Sequence, residues 1–83
     1  MSTNGKTLAS LERGQKGIIA AVDARDPQVQ RLMTLGLVEG AEVELAGAAI
    51  GGDPLELRLF GKGISLRQEQ ARHFSVSARE FGD

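Results

Sequence analysis

Residues 42–59 read EVELAGAAIGGDPLELRL, and the order of apolar and charged residues in this stretch decides the fold. Glu42-Val43-Glu44-Leu45 alternates, and Leu55-Glu56-Leu57-Arg58-Leu59 alternates again. A period of two sends successive side chains to opposite faces of an extended chain, so each run predicts a strand with one buried and one wet face. Between them stands Gly51-Gly52-Asp53-Pro54. Glycine tolerates positive φ and proline is acceptable at a strand start, so the two strands join as an antiparallel hairpin.

The pattern extends in both directions. Downstream, Gly61 and Gly63 punctuate a turn before Ile64-Ser65-Leu66, the run RQEQAR at 67–72 has helix-forming composition, and Phe74-Ser75-Val76-Ser77 alternates once more. Upstream, GIIAAV at 17–22 is rich in β-branched residues and predicts a largely buried strand. Asp26-Pro27 is a helix start, because Asp accepts free N–H groups and Pro at the first helical position has none to satisfy. Gly36 supplies the stop. Val29, Leu32, Met33 and Gly36 then share one helical face, with Leu35 about 120° from Val29 and flanking it. Leu8 and Leu11 sit three apart, one short turn ended by Gly14. The expected fold is mainly β, a small barrel of about five strands with two or three short helices, which removes its sheet edges by closing. The domain is placed at 8–78, between flexible tails at 1–7 and 79–83.

Composition excludes several functions. The 83 residues are 41% hydrophobic and 25% charged, as in an ordinary globular domain with one thin core. Ten basic residues against eleven acidic ones give a net charge of −1, and the three aromatics are all Phe, so neither a basic field nor a stacking platform for nucleic acid is present. There is no cysteine, which removes disulfides, thiolate metal sites and thiol nucleophiles and fits a cytoplasmic protein. No segment approaches the roughly 20 apolar residues of a spanning helix, so direct membrane insertion is not expected.

Chemistry-bearing constellations are equally sparse. His73 is the only histidine, so no imidazole cluster can form within the chain, and no hydroxyl residue sits in a G-x-S-x-G elbow. The expectation is a protein that is not an enzyme and has no catalytic residues, cofactor or resident metal site. Asp23 with Asp26, or Glu39 with Glu42 and Glu44, could attract a hard cation weakly. The plainer reading makes Asp26 a helix cap and the glutamates a strand's solvent face.

One stretch resists the plain reading. Leu32-Met33-Thr34-Leu35-Gly36-Leu37-Val38 holds more large apolar residues than one short helix buries on a single face. Either Leu35, Leu37 and Val38 close the barrel mouth, or part of the surplus contacts a partner.

The residues here resemble the FeoA family: Leu8-x-x-Leu11 and Gly14, then Arg31-Leu32-x-x-Leu35-Gly36-Leu37-x-x-Gly40-x-x-Val43, then Gly52-Asp53-Pro54-Leu55, the Gly61 turn, Leu66-Arg67, Glu69, Ala71 and Val76. The likeness spans residues 8 to 77. It implies an SH3-like barrel in the cytoplasm that assists FeoB, the ferrous iron transporter of the membrane, which carries its own guanine-nucleotide-binding domain. The chain departs from the family at Glu39, where proline is common, and at Gly47-Ala48, where basic residues are frequent.

Under this resemblance the expected partner-binding residues are Arg31 and Glu39 at a rim, with Leu35, Leu37 and Val38 toward the centre. Self-association is compatible with such a surface. Two rival readings differ in class: a stand-alone SH3-like module that binds RNA or another protein, and a sensor whose surface carboxylates bind Fe(II) and alter docking.

Overall fold

A computed structural model describes residues 6–78. The expected tail at 79–83, and residues 1–5 of the other, lie outside the described residues. Lys6 and Thr7 do not hang free. The Lys6 carbonyl accepts from the Val76 amide at 3.0 Å, Thr7 bridges Ser75, and the Thr7 hydroxyl accepts from the Ala9 amide to cap a 3₁₀ turn at Leu8–Ser10.

The elements follow the sequence expectation in order: β1 (Lys16–Val22), α1 (Pro27–Thr34), β2 (Glu42–Ala48), a 3₁₀ turn (Ile50–Gly52), β3 (Leu55–Leu59), β4 (Lys62–Leu66), α2 (Gln68–Ala71) and β5 (Phe74–Ala78). The decisive hairpin forms with Val43 opposite Leu59 and Leu45 opposite Leu57. Its alternation places Val43, Leu45, Leu55, Leu57 and Leu59 in the core. Each fully buried large aliphatic side chain adds about 1.5–3 kcal/mol over leaving it in water, so this one hairpin supplies much of the driving force for folding. Leu8, Val29, Leu37 and Phe74 close the same core from the turns, α1 and β5.

β1 departs from expectation. Gly17 and Ile19 are buried, but Ala20 and Ala21 are exposed. The strand presents only one face to the core, and a shift of register between Ile19 and Ala21 leaves Ala20 as the extra residue of a bulge against β5.

All pairings are antiparallel, in the order β4-β3-β2-β1-β5. The expected closure is incomplete, because β4 and β5 end the sheet without pairing to each other. The two ends are treated differently. Lys6 and Thr7 cover β5, whereas among the described residues no backbone group pairs with β4 on the side away from β3.

Candidate functional site

The surplus of apolar residues after α1 is sorted by the way the helix ends. Asp26 Oδ1 accepts from the Gln28 amide at 2.8 Å and starts α1. At the other end Leu35 is still helical, Gly36 turns left-handed at φ +115°, the Gly36 amide donates to the Met33 carbonyl at 3.0 Å and the Leu37 amide to the Leu32 carbonyl at 3.3 Å. This pair of bonds is a Schellman ending, in which the second residue past the cap folds back onto the last turn. Leu37 is therefore driven into the core at 0% exposure, while Leu35 stays on the surface at 57%.

The expected contact set splits accordingly. Leu37 is corrected from contact residue to core residue, since a fully buried side chain cannot meet a partner. Arg31 and Glu39 are exposed, and Val38 is exposed at 39%. Leu35 alone of the five enters a surface groove of about 430 Å³, whose other walls are Leu59, Phe60, Lys62, Gly63, Ile64 and Ser65. Gly36 backs that groove closely. A Cβ on it would stand 2.9 Å from Leu59 Cδ2 and 3.8 Å from Phe60 Cε2.

Phe60 is the residue that sequence reasoning missed. With Gly61 it forms the two-residue loop between β3 and β4, and both take positive φ, +53° and +79°. Such loops favour Asn-Gly, because a left-handed conformation costs an ordinary L-residue roughly 1–2 kcal/mol. A phenylalanine that is 79% exposed in that position satisfies neither local preference nor burial. The available signal was the bulky residue directly before the turn glycine.

The electrostatic features lie elsewhere. Asp23 and Arg25 form a two-bond pair, Nε to Oδ1 at 2.9 Å and Nη2 to Oδ2 at 2.7 Å, with His73 Nδ1 at 3.8 Å from the same carboxylate. Hydrogen bonds from Arg25, first from its side chain and then from its backbone, hold the Asp23 carboxyl well below the usual carboxylate range. Asp23 and Asp26 are thus engaged with Arg25 and with the helix start, not with each other. Among the described residues no group of three or more His, Cys, Asp or Glu side chains is gathered to hold a metal ion, and no helix is long and apolar enough to cross a membrane.

The FeoA domain family matches residues 6–78. The chain belongs to the FeoA family. A fusion protein of Porphyromonas gingivalis that joins Fe(2+) transport protein A to the Fe(2+) transporter FeoB is 29% identical over 69 residues, or 83% of this chain and 8% of that protein. The chain thus spans a small fraction of that relative's length. The solution structure of the FeoA protein from Chlorobium tepidum matches with a TM-score of 0.83 at 30% identity, over 93% of this chain and 73% of that one. The crystal structure of Stenotrophomonas maltophilia FeoA, an SH3 domain protein complexed with zinc, matches with a TM-score of 0.76 at 29% identity, over 86% of this chain and 88% of that one. The expected SH3-like architecture is therefore the one this chain has.

Proposed function

We propose that this chain is a cytoplasmic, non-enzymatic accessory protein of ferrous iron uptake that docks on a FeoB-type transporter. The observation that carries the reading is the Porphyromonas gingivalis relative, in which an FeoA-type segment and FeoB share one polypeptide. Fusion holds two modules at high effective concentration, an arrangement that favours contact between them. The Stenotrophomonas maltophilia relative, put forward as a ferrous iron transport activating factor, points the same way.

The docking surface we assign is centred on Leu35 and the groove beside it, with Arg31, Val38 and Glu39 as its exposed margin. Aromatic and aliphatic anchors ringed by polar groups are the usual anatomy of such contacts. The test is titration of the folded chain into the detergent-solubilised transporter or its G domain, comparing wild type with Leu35→Glu. Weaker binding by the variant is expected, and equal binding by the two would remove this surface from the contact.

A further inference from the structure

The groove at Leu35 runs along the open edge of the sheet. Five of its seven lining residues, Phe60, Lys62, Gly63, Ile64 and Ser65, belong to β4 or to the loop that leads into it. In a two-residue hairpin the closing pair, here Leu59 and Lys62, is hydrogen bonded, and antiparallel pairs alternate. Gly63 and Ser65 therefore turn their N–H and C=O groups away from β3, outward along the groove. Lys62, Ile64 and Leu66 share the face of Leu59, Leu57 and Leu55, so the inner face of β4 meets the groove with Ile64 half buried.

Gly63 is not needed by the fold. Its φ is not positive, and a Cβ there would have no atom within 4 Å. A strand glycine that serves neither a bulge nor a break in register fits a place where a ligand or another backbone comes close. Edge strands exposed in this way are normally blunted by charge, proline or a bulge. Here the one charge, Lys62, stands at the end of the strand, and β4 has neither proline nor a break in register.

We infer that β4 accepts an added β-strand: an extended segment of a partner protein, apolar at alternate positions, whose inward side chains fill the slot between Leu35, Phe60 and Ile64, with a carboxylate set beside Lys62. The inference rests on the docking reading above for the partner's identity, but its mode of binding is tested separately. Main-chain hydrogen bonds to Gly63 and Ser65 supply affinity, and the slot selects side chains. Lys62 chooses the occupant by charge, since among the described residues it makes no ion pair. A second copy of this chain fits less well, because its own β4 brings another lysine and no acid.

Ser65→Pro removes the outward N–H while leaving the β3 pairing in place, and Ser65→Ala removes only the hydroxyl, which bonds Glu56. The probe is a displayed library of random heptapeptides selected on the full chain. Enriched peptides are expected to alternate apolar residues and carry an acid near one end. They should slow amide exchange at Gly63 and Ser65, bind Ser65→Ala as they bind wild type, and lose roughly three- to tenfold on Ser65→Pro, the effect of one lost hydrogen bond. Changing the peptide's acid to lysine should weaken binding as well. The strand mode is overturned by an absence of enriched peptides, by unchanged exchange at those amides, or by equal binding to a folded Ser65→Pro. A dimer of this chain that comes apart in Ser65→Pro would overturn the choice of occupant. The transporter titration separates the two readings: peptides that add to β4 while the transporter does not bind leave this inference standing and remove the proposed function, and a transporter that binds Ser65→Pro at full strength does the reverse.

Discussion

Gly36 packs closely against Leu59, a wall of the groove: the glycine takes φ +115°, and any Cβ on it would press to 2.9 Å from Leu59 Cδ2. The left-handed turn that ends α1 and the last residue of β3 are thereby fixed against each other. Gly36→Ala faces both the conformational penalty and a contact with a buried side chain that has little room to retreat. A loss of about 2 kcal/mol is expected, the sum of a left-handed alanine and modest overpacking, measured as a lower urea midpoint at unchanged m-value.

Leu35 and Leu37 stand two residues apart and should behave oppositely. Leu37→Ala empties a fully buried site and is expected to cost about 2–5 kcal/mol. Leu35→Ala, at a position already more than half in water, should change stability by about 0.5 kcal/mol or less. Denaturant titration of the two variants checks this, and similar losses at both positions would contradict the Schellman ending of α1.

Phe60→Asn puts the preferred residue into a left-handed position now held by an exposed phenylalanine. Stability should hold or rise by up to about 1 kcal/mol. Binding to the transporter should fall, because the variant loses one wall of the groove. A variant that is clearly destabilised would show that the ring supports the fold.

Acid should weaken the Asp23–Arg25 pair in a definite direction. The folded-state pKa of Asp23 is depressed, chiefly by the Arg25 side-chain hydrogen bond, so its contribution is present above the unfolded carboxylate value of about 4 and is lost as pH falls below it. The gap in melting temperature between wild type and Asp23→Asn is therefore expected to be widest near neutrality and to shrink on acidification. Because the Arg25 side chain is almost fully exposed and that of Asp23 more than a third so, the gap should be small and should narrow further in high salt. A gap independent of pH would remove the pair from the stability balance.

Much of this architecture was legible in residue order. The Asp26-Pro27 start and the Gly36 stop rest on contacts within a few residues, and the alternation at 42–45 and 55–59 is a local pattern that fixes which side chains of the hairpin turn inward. The burial of Leu37 was also local in origin. A glycine one residue past the cap calls for an apolar residue after it that returns to the helix, and this motif places Leu37 inside. The exposed Ala20 and Ala21 were less accessible, since the bulge at Ala20 is created by β5, more than fifty residues downstream.

By itself the sequence determined that the chain is a small five-stranded domain with a single histidine and no cysteine, because periodicity and composition are properties of residue order. Only the tertiary structure decided which distant side chains share a groove. The groove joins Leu35 at the end of α1 to Phe60, Lys62 and Ile64 on a hairpin some 25 to 29 residues later, and which sheet edge is covered depends on Lys6 and Thr7 reaching β5 from the opposite end of the chain. No local preference encodes either relation. Both arise from closing long loops around one shared core, which is where the energy to hold distant residues together comes from.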